Sequence, residues 1–285
     1  MTEGALIGAR FVLMIDLALL MGLPLFWWAM GMAGRKSLLV IFALGGMALS
    51  ALWLLASAAA MTGTPISSPD WASAQILLTM TPIGLVLAVR AGALLLTLAC
   101  LLLPQGLRVA LIPAAVAAAT LAWTGHAGAT EDMAGTWHRA ADVAHIWAAA
   151  GWIGALAALL HAVVTLRHDV QRVAAMLGGF ALMGTLIVAT LIISGAINLV
   201  MIVGLADLPA LVGSRYGLLL GAKLALFALM LGLAAVNRWR LTPLLERGET
   251  QQAIAHLRLS LAIETSAAIT IIGLVAWLGT LDPMA

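Results

Sequence analysis

Eight apolar runs, each about as long as a bilayer is thick, constrain this chain more than any other feature. They lie near 6–31, 38–62, 82–104, 109–126, 138–165, 174–203, 216–240 and 257–281. A helix needs about 20 apolar residues to cross hydrocarbon, whereas strands of a membrane barrel alternate over about 10. The predicted fold is therefore all-α: one polytopic domain over 1–285, a bundle of eight transmembrane helices. Only 9% of residues are charged, against about 25% in a soluble domain. The stretches between runs, such as "TGTPISSPDW" and "LERGETQQ", carry turn-forming residues. The short "WASAQILLTM" is expected to lie flat at the interface. The first run lacks a basic leader region and begins with Glu3, so it reads as a span rather than a cleaved signal.

Lys and Arg set the orientation. Arg35, Lys36, Arg108, Arg167, Arg172, Arg238, Arg240, Arg247 and Arg258 fall in or beside the loops after spans one, three, five and seven, nine of the fourteen basic residues. Those loops are expected to face the cytoplasm, with both termini periplasmic. The net charge of +2 then reflects basic loops in a bacterial inner membrane, and no nucleic-acid partner is implied. A single cysteine, Cys100, excludes an internal disulfide and any CxxC metal site.

Charge inside hydrocarbon is costly and calls for a partner or a role. Arg10 and Asp16 lie in span one, Arg90 in span three, Asp142 and His145 in span five, Lys223 in span seven and Glu264 in span eight. All but Glu264 fall in the outer half or near the midplane. Glu264 is expected about seven residues in from the cytoplasmic end. Two readings are open: a salt-bridge network in which Asp16 and Asp142 pair with Arg10, Arg90 or Lys223, or a polar cavity open to the outside.

The stretch "TGHAGATEDMAGTWHRAADVAH" favours a cavity. His138, Asp142 and His145 stand at i, i+4 and i+7, which places them on one helix face. His126 closes span four, with eleven residues between it and His138 on the other side of a short loop. Three imidazoles and a carboxylate can thus converge at the outer rim. Imidazole suits Cu, Zn, Fe and Ni, and thioether suits Cu(I). Asp142 either ligates directly or fixes the tautomer of a ligating ring. Met133 in the loop, and Met14 and Met21 in span one, supply thioethers. Interfacial hydration of the histidines and core packing of the methionines are the plain alternatives. His161, His168 and His256 read as solvated. Asn198 in span six either bonds between helices or lines the cavity. Gly213, Gly217 and Gly221 recur at four-residue intervals and are expected to mark a close helix crossing.

The pieces "ARFVLMIDLALLMGLPLF", "TGHAG", "ADVAHIWAAAGWIGAL", "SGAINL", "YGLLLGAKLALFALMLGLAAVNRWRLTPLL" and "LRLSLAIETSAAITIIGLVAWLGTL" resemble the CopD family of copper-resistance inner-membrane proteins. The resemblance spans most of the chain. It implies eight helices and copper handling, with uptake from periplasm to cytoplasm. It also implies a separate periplasmic copper protein of the CopC type as partner, beside membrane lipid. Among the family's motif positions are His126, Asp142, His145, Lys223, Asn237 and Glu264.

Three functions follow from this reading. In the first, a copper ion, Cu(I) or Cu(II), is received by His126, His138, Asp142 and His145 and carried inward, with Glu264 on the way. No GxxxxGK[ST] motif occurs, so such transport is expected to be passive or ion-coupled rather than enzymatic. In the second, haem is held between His145 and His126 for electron transfer or metal reduction. In the third, the protein holds copper at the outer surface as a sensor or assembly factor.

Overall fold

A computed structural model of the chain describes residues 2–130, 132–165, 169–247 and 250–283, side chains excepted at 2, 129, 250 and 251. Arg167 and His168 lie outside the described residues. The regular elements among those described are helical: α1 (Thr2–Ala29), α2 (Lys36–Thr62), α3 (Trp71–Met80), α4 (Pro82–Leu101), α5 (Gly106–Val109), α6 (Leu111–Ala119), α7 (His126–Ala129), α8 (Asp132–Thr165), α9 (Val170–Val203), α10 (Arg215–Val236), α11 (Thr242–Glu246) and α12 (Thr250–Leu278). A 3₁₀ segment, Thr120–Thr124, follows α6, a second, Leu208–Leu211, precedes α10, and a π-helical turn, Asn237–Leu241, joins α10 to α11. Eight stretches are long and apolar enough to cross a membrane, and they match the eight predicted runs to within a few residues at most ends.

Local chemistry sets the helix starts. Asp70 accepts the amides of Ala72 and Ser73 at the head of α3, and Ser214 accepts that of Gly217 at the head of α10. Thr81 accepts the amide of Ile83, and Pro82 follows it as the first residue of α4, where a missing N–H costs nothing. Gly63 ends α2 in the left-handed region at φ 72°, a conformation glycine adopts freely.

α1 is the axis of the bundle and packs against α8, α2, α12 and α6. Leu13, Leu17, Leu20 and Phe26 on it are fully buried. Lipid tails are as apolar as leucine, so close backbone approach at small residues drives such packing. A Cβ on Gly22 of α1 would meet the Ala150 carbonyl oxygen at 1.9 Å, and one on Gly154 of α8 would meet Gly22 C at 2.1 Å. The tight crossing is therefore Gly22–Gly154. The predicted stripe of Gly213, Gly217 and Gly221 is not one. A Cβ on Gly221 meets nothing within 4 Å, and the constraint on Gly217 is the carbonyl of Leu211 in the preceding turn.

α10 is the outlier. It packs closely on α12 and meets α8 and α9 through side chains: Phe227 stands edge-on to Trp152, and Tyr216 shares a buried cluster with Val203. Only 6% of its most apolar window is buried, the least of the eight spans. The cavities described next are lined by residues of α8, α9, α10 and α12.

Candidate functional site

The loop from α7 into α8 brings the histidines together. Its turn is tight: Asp132 takes a left-handed φ of 58°, and a Cβ on Gly135 would meet the Thr130 carbonyl oxygen at 2.1 Å. Arg139 Nη1 donates to the same carbonyl at 2.9 Å. The arginine thus caps the turn, while its charge still acts on the His138 ring. His126, His138, Asp142 and His145 all line one cavity of about 230 Å³, together with Arg10, Met14, Asn198 and Lys223. Met133 is exposed and stands outside it, and Met21 is packed in the core.

Each ring has a separate anchor. Ser194 Oγ donates to the Thr190 carbonyl, so the 2.9 Å contact between His145 Nδ1 and Ser194 Oγ is a donation from the ring. The lone pair of His145 then sits on Nε2. His138 repeats the pattern. Thr130 Oγ1 donates to the His126 carbonyl at 3.3 Å and accepts from His138 Nδ1 at 2.8 Å. His126 is the reverse: its Nε2 lies 3.1 Å from the Leu281 carbonyl, which can only accept, so its lone pair is on Nδ1. Tyr216 stands edge-on to that ring at 6.1 Å. Asp142 Oδ1 accepts from Asn198 Nδ2 at 2.9 Å, while Lys223 and Arg10 act on the carboxylate through space.

These groups form a ladder rather than a single cluster. Among the described residues, no three of His, Cys, Asp and Glu come close enough to hold one ion. The reason is axial spread: i to i+7 on α8 covers about 10 Å, and the separate anchors hold the rings at their own levels. A second cavity, of about 360 Å³, shares His145 and Lys223 with the first and continues past Trp152 and Phe227 to Met230 and Ala268. Ser194, Thr130 and Thr190 were not expected at the site. Mid-helix hydroxyls usually bond back to the preceding turn, and only the direct run Ser194–Gly195 on α9, a small-residue pair facing α8, could have marked one of them.

The other intramembrane charges stand apart. Arg90 is fully buried; its Nε donates to Thr120 Oγ1 at 2.7 Å, and Nη1 and Nη2 have no partner. Asp16 is buried against Gly45 and Gly46 of α2, where a Cβ would come within 2.8 and 2.9 Å of its carboxylate oxygens. Its Oδ2 has no hydrogen-bond partner. Arg10 Nη1 donates to the Thr124 carbonyl at 2.7 Å. Of the charges that the two open readings concern, Arg10 and Arg90 bond to neutral groups, while Asp142 acts on Lys223 and Arg10 through space. Glu264 is buried, 2% exposed, with Asn237 Nδ2 donating to it at 2.6 Å. It lies fourteen residues from each end of α12, which begins seven residues before the apolar run. Cys100 is in the core, and His161 and His256 are exposed.

The family profile described as Copper resistance protein D matches residues 174–278, and that described as Copper resistance protein D-like, N-terminal domain, matches residues 1–136. Copper resistance protein D of Pseudomonas syringae pv. tomato is 40% identical over 301 aligned positions, covering 97% of this chain and 96% of the relative. No solved structure matches. This multi-pass membrane protein belongs to the copper resistance protein D family.

Proposed function

We propose that the protein carries copper ions across the bacterial inner membrane, from periplasm to cytoplasm, without nucleotide hydrolysis. One observation carries this reading: two cavities that share His145 and Lys223 run from the level of His126 and His138 down to Met230 and Ala268. A surface store needs only the upper part of that route. Donors are spaced along it: imidazoles at the mouth, Asp142 and His145 below, and the Met230 thioether at the floor. A ladder of weak, separated sites suits passage, since each step must release what it binds. Copper is cargo here, and the free ring nitrogen of His138, at the mouth, receives it before that of His145.

The membrane orientation rests on the basic loops after α2's predecessor and its odd-numbered counterparts among the spans, which puts His126 and His138 on the periplasmic side. A separate periplasmic copper-binding protein delivers the ion there. The haem reading is less well supported, because His126 directs Nε2 to the Leu281 carbonyl rather than offering it opposite His145.

Proteoliposomes loaded with a copper-responsive dye test the proposal. Dye response on external copper, lost in His145→Ala and kept in His256→Ala, is the expected result. Stoichiometric copper binding with no internal accumulation would leave a surface copper holder instead.

A further inference from the structure

A second polar cluster lies below the cavities and is built from different chemistry. Glu264 Oε1 accepts from Asn237 Nδ2 at 2.6 Å and from Ser260 Oγ at 3.3 Å. All three residues are buried. Asn237 opens the π-helical turn, and Thr242 Oγ1 donates to its carbonyl at 2.9 Å. Such turns recur at functional positions, because one extra residue per turn re-aims a side chain. Ala268, on the cavity floor, is one helical turn from Glu264 on the same face of α12.

The hydrogen inventory of the cluster is one short. Both donors point to Oε1, and Asn237 Oδ1 is buried with no donor at all. Among the described residues, Ser260 and Asn237 are the groups bonded to Glu264, and no ion pair joins it to a side chain of α1, α8, α10, the π turn with Arg238 and Arg240, α11, or α12 itself with Arg258. A bare carboxylate in that setting has neither a counter-charge nor the donors a buried anion requires. Two hydrogens already directed at Oε1 also disfavour a resident metal cation. One added proton, carried on Oε2, removes the charge and supplies the missing donor.

We propose that Glu264 holds a proton in the resting protein and releases it when a copper ion reaches the floor of the cavity. The O–H bond breaks, the carboxylate becomes the counter-charge of the arriving cation, and the proton leaves to water. The resting proton follows from the cluster alone; its exchange for copper rests on the transport reading above.

Infrared difference spectroscopy of the full-length protein in lipid vesicles at neutral pH separates the two parts. A protonated carboxylic acid C=O band is expected in the resting protein and is lost in Glu264→Gln. Ser260→Ala shifts that band to higher frequency, because it removes a hydrogen bond from the carbonyl oxygen. Addition of copper bleaches the band. Absence of a Glu264-dependent band, or a resting signal that follows sodium instead of pH, overturns the proton site. A band that persists while the same vesicles accumulate copper overturns the exchange. Vesicles that keep the band and take up no copper overturn the transport reading and leave the proton site standing.

Discussion

The Nδ1 atom of His145 lies 2.9 Å from Ser194 Oγ, a hydroxyl whose own hydrogen is already given to Thr190. The serine therefore fixes the tautomer of the ring across the α8–α9 interface. Partners of this kind are worth about 10–100-fold in metal affinity. Ser194→Ala is expected to weaken copper binding by that order while costing only about 1 kcal/mol of stability. Competition against a copper chelator, with thermal unfolding in parallel, reads both. Equal affinity in the variant would remove Ser194 from the site.

Asp142 and Lys223 act on each other without a direct hydrogen bond. Asp142→Asn keeps an acceptor for Asn198 but leaves Lys223 and Arg10 facing no acid. Copper uptake should fall at least about tenfold, as expected when a group of this kind is lost from a binding site. Lys223→Met in the same chain should restore stability but not uptake, with a coupling of about 0.5–3 kcal/mol in a double-mutant cycle. Strict additivity of the two unfolding shifts would show that the pair is independent.

The helix crossing gives a paired test. Gly154→Ala forces a Cβ to within 2.1 Å of the Gly22 backbone, whereas Gly221→Ala meets nothing within 4 Å. The first should cost about 1–3 kcal/mol or more, in line with overpacking elsewhere. The second should leave unfolding in detergent unchanged. Similar midpoints for both variants would put the α1–α8 contact in doubt.

Outside the spans, Asp70 caps α3. The Ser73 hydroxyl, then the Ser73 and Ala72 amides, hold its carboxyl below the ordinary value of 3.8. A depressed carboxyl contributes stability above its unfolded value and loses it as pH falls through the folded one. Protection of the Ala72 and Ser73 amides, taken relative to the intrinsic exchange rate at each pH, should thus hold from neutral pH down to about pH 4 and fall below it, where the cap protonates. Asp70→Ala should abolish that pH dependence and speed exchange throughout.

The number and order of the spans were legible because hydropathy over 20 residues is a strong signal. The polar mouth was legible too, since histidines at i and i+7 with an acid between them are uncommon in an apolar helix. Other features depended on partners that one-dimensional pattern does not carry. Asn198 reaches Asp142 across 56 residues, and Ser194 reaches His145 across 49. The π turn at Asn237 left no mark in "AAVNRWRLTP", where the apolar run simply fades. The first turns of α12 were not legible either, because residues 250–256 are mostly polar and carry no apolar run. The glycine stripe at 213–221 has the spacing of a crossing, but spacing does not tell which helix, if any, lies opposite.

The loose seating of α10 changes what counts as part of the pathway. Only 6% of the most apolar window of the α10 span is buried, so α10 depends on the surrounding bilayer for most of its packing while its Lys223 and Phe227 line the space that His145 shares. The dielectric along the ion's route, and the width of that route, are then properties of the host lipid as well as of the polypeptide. Rates measured in a detergent micelle and in a native membrane describe two differently walled conduits.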